Sequence, residues 1–266
     1  MALEIFKQSM TDKTKGTIIA MVILFAFVFW MGTFYPEVAK MGDVYTELME
    51  NPAMKALIGN SVATLTTFEG FMSIELFSYM GLIFGGYVAF LAASFIAGEI
   101  EQKTGDLLFS LPVSRTDIVV SRFAVIAIIS VLITAAMIAG AVLSAMYINV
   151  SVSLEHFGYM MLFTSALTIA AGSIAMLIST FLSDSKQAAL ASLGVFILMY
   201  FTETIGSTVE GLNAIRSLSL FHYVSASDIL VSHNVEWIDL GVLIAVAVVF
   251  LALSVVNFNR RDINFG

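Results

Sequence analysis

The residues best placed to do chemistry lie in one connection, Gly98 to Phe123, reading GEIEQKTGDLLFSLPVSRTDIVVSRF. Glu99, Glu101, Lys103 and Asp106 precede an apolar cluster of Leu107, Leu108, Phe109 and Leu111. Leu107, Leu108 and Leu111 share one helical face, and Pro112 ends that helix because its ring removes a backbone donor and crowds the turn before it. Ser114-Arg115-Thr116-Asp117 then has the form of a capping box, which starts a new helix. The chemistry on offer is recognition rather than bond-making. A short apolar face ringed by charge suits docking of a second polypeptide, and the same face would also rest on lipid headgroups.

Few other residues compete for a chemical role. His156, His222 and His233 have no spacing that fits a metal site. The absence of cysteine excludes disulfide frameworks, thiolate zinc sites, iron–sulfur ligation and thiol catalysis. No glycine-rich loop ends in Gly-Lys-Ser/Thr, so the chain is not its own P-loop ATPase and an ATP-driven role needs a second polypeptide. A net charge of −8 argues against nucleic acid as a partner, because counterion release needs a basic face.

The elements that hold this segment follow from composition. Of 266 residues, 59% are hydrophobic and 12% charged, far from the roughly 25% charged expected of a soluble domain. Six intervals lack Asp, Glu, Lys and Arg: Gly16 to Pro36, Leu76 to Gly98, Phe123 to Leu154, His156 to Ser183, Gln187 to Thr202 and Leu240 to Asn259. A crossing helix needs about 20 apolar residues, so the expected spans are 16–36, 76–98, 119–148, 158–182, 187–206 and 238–258, within one membrane domain of residues 1–266. The first is read as a retained anchor, since Met31-Gly32-Thr33-Phe34-Tyr35-Pro36 offers no small-x-small cleavage site.

Orientation follows from Lys and Arg near the span ends. With both termini cytoplasmic, nine of the twelve basic residues fall inside, and only Lys40, Lys55 and Arg216 outside. Two long loops, Tyr35 to Glu75 and Glu203 to Asp239, are then external and strongly acidic, and Asn51-Pro52 to Gly59 reads as a short helix in the first. Leu3, Phe6 and Met10 lie on one side of the N-terminal stretch, with Glu4, Lys7 and Gln8 around them, as in an interfacial helix in the inner headgroup plane.

The intervals are free of acidic and basic residues, with Glu75, Glu99 and Glu203 just beyond their ends, which weighs against proton-coupled antiport, a carboxylate-ringed cation channel or an intramembrane aspartyl enzyme. Ser130, Thr134, Ser144, Thr164, Ser165, Thr168, Ser173 and Ser179 read as helix-packing hydroxyls, with a weakly polar passage as the sharper alternative. Gly81, Gly85 and Gly86 read as a site of close helix approach.

These features together resemble the type-2 ATP-binding-cassette (ABC) transporter permeases. The match lies first in Glu99 and Glu101, Leu107-Leu108, Leu111-Pro112-Val113-Ser114-Arg115 and Arg122, which resemble the family's coupling-helix region. Leu218-Ser219-Leu220-Phe221-His222-Tyr223 and Phe258-Asn259-Arg260-Arg261-Asp262-Ile263 are similar to its stretch before the last span and to its ending. Thr104-Gly105-Asp106 stands where the family often has Gly-Thr, and Arg122 where it often has Lys, which leaves the identity of the ATPase open.

The resemblance implies an all-α integral membrane protein of six spans. It implies an N-terminal interfacial connecting helix (Leu3, Phe6, Lys7, Met10), a cytoplasmic coupling helix between spans 2 and 3, and short external helices before span 6. Docking of a cytoplasmic ABC ATPase falls to Glu99, Glu101, Thr104, Gly105, Asp106, Leu107, Leu108, Leu111, Pro112, Ser114 and Arg115, and an external gate to Ser219, Phe221, His222 and Tyr223. ATP and magnesium belong to the partner, this chain holding no cofactor. A second permease subunit completes the assembly, as homodimer or related chain, in lipid, with the plasma membrane of a bacterium or archaeon as the expected location. The implied activity is ATP-driven export. A membrane subunit that passes ATPase motion to an external partner without translocation, and a secondary carrier or channel, are the other readings.

Overall fold

The computed structural model describes residues 2–41, 66–101, 114–209 and 213–261. Among them it is helical, with no strand. In chain order the elements are α1 (Ala2–Thr33), α2 (Tyr35–Lys40), α3 (Phe68–Met72), a π-helical turn (Ser73–Phe77), α4 (Ser78–Glu101), α5 (Arg115–Tyr147), α6 (Leu154–Phe181), α7 (Ser185–Thr208), α8 (Asn213–Arg216), a 3₁₀ turn (Leu220–Tyr223), α9 (Ala226–Leu230) and α10 (Trp237–Arg260). Six of them, α1, α4, α5, α6, α7 and α10, are long and apolar enough to cross a bilayer.

Caps set where these helices begin. Ser114 Oγ accepts the Asp117 amide at 3.1 Å, the bond expected of the Ser114–Asp117 capping box. Asp184 Oδ1 accepts the Gln187 amide at 2.9 Å, Thr67 Oγ1 that of Gly70 at 3.1 Å, and Ser153 caps α6 through His156. Each cap satisfies one of the orphan donors at a helix N-terminus.

Helices α5 and α6 form the centre. α1 packs on α5, α4 and α10 on α6, and α7 on α4. The buried face of α6 is nearly continuous, whereas α1, α7 and α10 leave most of their apolar side chains at least partly exposed, as helices facing lipid would. Close approach depends on glycine at defined points. A Cβ at Gly140 of α5 would lie 2.8 Å from the Phe25 carbonyl oxygen of α1, and one at Gly85 of α4 would lie 2.9 Å from the Phe196 ring of α7. The packing role read for Gly81, Gly85 and Gly86 agrees with these contacts. Most span hydroxyls bond back along their own helix, such as Thr134 to the Ser130 carbonyl and Thr168 to that of Thr164.

Two expectations are corrected. The N-terminal stretch is not a separate interfacial helix: α1 runs unbroken from Ala2 through the first span. No proline interrupts it, and Thr14 and Thr17 donate to the carbonyls of Met10 and Lys13 across the expected junction. Ile5 and Ser9 are buried, Phe6 and Met10 pack at the edge of the core, while Leu3 and Lys7 are exposed. At 33 residues α5 is about 50 Å long, more than the roughly 30 Å of hydrocarbon, because its cap lies two turns ahead of the apolar run. Arg122 sits inside the bundle, 2% exposed. The second long loop starts later than Glu203, which lies within α7 and within the expected span 187–206. The expected Asn51–Gly59 helix, and Thr104, Gly105, Asp106, Leu107, Leu108, Leu111 and Pro112, fall outside the described residues.

Candidate functional site

Two regions gather polar side chains, one at each end of the bundle. At the end where α4, α6 and α10 finish and α5 and α7 start, the residues flanking positions 102–113 are tied to other helices. Before that stretch, the Glu101 carboxylate accepts the Ser185 amide at 3.0 Å and the Ser185 hydroxyl. It thus caps the N-terminus of α7, where unpaired amides and the helix dipole favour an anion. These hydrogen bonds, the hydroxyl's first, hold the Glu101 carboxyl below the usual carboxylate range.

After that stretch, Arg115 Nη1 donates to the carbonyl oxygens of Phe258 at 3.0 Å and Arg261 at 2.6 Å, and its guanidinium lies 5.8 Å from the Phe258 ring centroid. Arg261 in turn donates to the carbonyls of Thr180 at 2.7 Å and Leu182 at 3.0 Å, and to Ser183 Oγ at 2.6 Å. Asn257 Nδ2 donates to Thr180 Oγ1 at 2.8 Å, and Asn259 Nδ2 to Thr116 Oγ1 at 3.1 Å. Two guanidiniums in series thus cap α10 and then α6, the charged-donor solution to carbonyls left open at helix ends. Glu101 and Arg115 connect the flanks of one segment to α6, α7 and α10.

A further tie joins α1, α4 and α5 at the same end. Lys13 Nζ donates to Ser94 Oγ at 3.1 Å and lies 5.4 Å from the Phe95 ring centroid, with the Arg122 guanidinium 5.9 Å from the same centroid. Ser179 of α6 accepts the Ala97 amide at 2.9 Å and donates to the Ala93 carbonyl at 3.0 Å, joining α6 to α4 directly.

At the opposite end, the π-helical turn, α7, α8, the 3₁₀ turn and α9 enclose a cavity of about 560 Å3. Among the described residues, Glu203, Asp228, Glu236 and Asp239 lie on its wall with Arg216. Arg216 Nε donates to Glu203 Oε1 at 3.1 Å and Nη2 to the same oxygen, a bond that raises the arginine above its ordinary value. His222 Nδ1 is 3.4 Å from Glu203 Oε2. Ser219 Oγ donates to the Met199 carbonyl at 2.8 Å and fixes the 3₁₀ turn to α7, and Tyr223 Oη closes the turn on the Ser217 carbonyl at 2.8 Å.

Phe221 occupies the floor. Its ring lies 6.3 Å from Phe196 and 5.6 Å from Tyr200, both near-perpendicular, and fills the notch left by Gly81. Beyond it lies a second cavity of about 20 Å3, walled by Phe77, Phe221 and Val224, which line the large cavity too, and by Thr164. The Thr164 hydroxyl is buried and meets no hydrogen-bond partner among the described residues.

The structure therefore brings Glu101, Ser114 and Arg115 to one end, and Phe221, His222 and Tyr223 to the wall of one cavity with Ser219 behind it. Glu99 lies in the last turns of α4. Sequence reasoning missed Ser185, Thr180 and Arg261 as cap partners, and the Glu203–Arg216 pair. A signal existed for Arg261, since a basic residue just past a final helix is a donor for open carbonyls. None existed for Ser185, whose partner is 84 positions away.

The family model described as ABC-2 family transporter protein matches residues 3–263 of the chain. No curated protein matches it.

Proposed function

Since the chain belongs to the ABC-2 transporter protein family, and is thus a multi-pass membrane protein of the ABC permease kind with six candidate crossing helices, we propose that it couples ATP hydrolysis on a separate subunit to substrate export. The observation that carries this reading is the pair of ties at Glu101 and Arg115. A displacement of the segment between them would be passed to α7 through Ser185, and to α10 and α6 through Arg261, without first loosening the core. The apolar face of Leu107, Leu108 and Leu111 then docks the cytoplasmic ATPase, with Glu99, Thr104, Gly105, Asp106 and Pro112 shaping that contact. ATP and magnesium stay on the ATPase. A second permease subunit gives the two ATPase chains a membrane platform, both termini face the cytoplasm, and Ser219, Phe221, His222 and Tyr223 form the gate at the far end.

The test is reconstitution of the chain with its ATPase in sealed vesicles. Leu108→Glu should leave the protein inserted and abolish ATP-driven movement, together with recovery of the ATPase in mild detergent. Full transport by that variant would overturn the docking assignment. ATP turnover without movement of any solute by the unaltered complex would favour a subunit that only transmits motion.

A further inference from the structure

We propose that the cavity between the π-helical turn, α7 and α9 binds an amphipathic organic cation, which names the substrate class of the transport reading above and rests on it. Its volume of about 560 Å3 falls within the roughly 300–1,000 Å3 of small-molecule sites. Its charge is one-sided: among the described residues four carboxylates and one guanidinium line it, and Arg216 is already committed to Glu203. Among the described residues no cation pairs with Asp228, Glu236 or Asp239.

The geometry rejects a small metal ion. Among the described residues no three His, Asp or Glu side chains converge closely enough to hold one. Tyr79, Phe163, Tyr200 and Phe221 contribute rings to the same wall. Dispersed carboxylates and aromatic rings on one wall match a diffuse positive charge on a bulky, weakly hydrated group, such as a quaternary ammonium. A second feature points inward to a ligand. Thr164 is 3% exposed and its unpartnered hydroxyl lines the small cavity under Phe221. An orphan hydroxyl in that position is satisfied by a water or by a guest that displaces it, and a polar atom on the ligand's apolar body reaches Thr164 once Phe221 turns aside.

The probe is radiolabelled benzyltrimethylammonium, titrated onto the full chain in discs of zwitterionic phosphatidylcholine. Saturable binding is expected, displaced by excess unlabelled probe and not by benzenesulfonate. Asp228→Asn and Asp239→Asn should each weaken it about three- to tenfold. Glu236→Gln alters an exposed wall residue and gives the same loss of charge without touching the core. Displacement by benzenesulfonate, or equal affinity in all three variants, would overturn the proposal. Binding is read without the ATPase, so the two readings fail separately. A cation that binds while the complex moves no solute sinks the transport reading and leaves the site; ATP-driven movement of other solutes with no binding of the cation sinks the site alone.

Discussion

Arg115 Nη1 donates to the carbonyl oxygen of Arg261 at 2.6 Å, although 146 positions separate the two residues. One is the first residue of the third long helix and the other the first past the last helix. Their contact closes the bundle at the end where residues 102–113 begin and end, and it makes α10 respond to anything that moves the start of α5.

Arg115→Ala should therefore impair coupling more than insertion. Hydrogen bonds from a charged donor contribute about 1.5–3 kcal/mol, so loss of this guanidinium should lower stability by about 2 kcal/mol in a detergent melt. ATP-driven transport should fall at least tenfold while ATPase docking survives. Arg115→Lys keeps the charge but not the planar fork, and should recover only part of the activity. An alanine variant with normal transport would remove α10 from the coupling path.

The tie at Glu101 should be acid-sensitive. Its carboxyl is held below the usual range in the folded chain, so its contribution is fully present above the unfolded value, about 4.3, and is lost as pH falls through the depressed folded value. Melting curves of the wild type and Glu101→Gln should differ at neutral pH and converge in acid. A gap that persists unchanged below the carboxylate range would mean that the amide fails for a steric reason.

Ser179 tests a bond between helices. Ser179→Ala removes one donor and one acceptor, but the Ala97 amide keeps the Ala93 carbonyl as its intrahelical partner, so the cost should be about 1 kcal/mol. Ser179→Leu must fit beside Ala93 and Ala97, both wholly buried, and should cost about 1–3 kcal/mol. Thermal unfolding of purified protein reads both.

Glycines separate by what a methyl group would meet. Gly140→Ala drives a Cβ to within 2.8 Å of a backbone oxygen on α1 and should destabilise by about 1–3 kcal/mol. Gly158 and Gly241 have nothing within 4 Å, so Ala at either should stabilise by up to about 1 kcal/mol. A neutral Gly140→Ala would show that α1 and α5 move apart freely.

Phe221→Ala should open the floor between the two cavities. In vesicles without ATP, passive leak of benzyltrimethylammonium should rise about tenfold, whereas Phe221→Trp should leave it at the wild-type level. An unchanged leak in the alanine variant would place the barrier elsewhere.

Much of the architecture is legible along the chain because membrane crossing is a local property. A run of about 20 residues without charge must be helical in hydrocarbon, since each backbone amide needs a partner within its own segment, and the six long helices stand where those runs stand. The Ser114 cap was legible for the same reason, as its partner is three residues away. The continuity of α1 was not, because composition marks where apolar residues stop and says nothing of helices that continue beyond.

Long-range pairing needed the tertiary structure. Whether Glu101 meets Ser185, Arg115 meets Arg261, or Phe221 seats on Gly81 depends on how helices dozens of residues apart pack, and side-chain type alone admits many partners. The same holds for Arg122, whose burial follows from the way α1 and α4 close around Phe95. Sequence by itself determined that this chain is a membrane helix bundle with polar segments at defined positions. The packing decided which of those polar residues touch, since burying a charge is tolerable only where another element brings its partner.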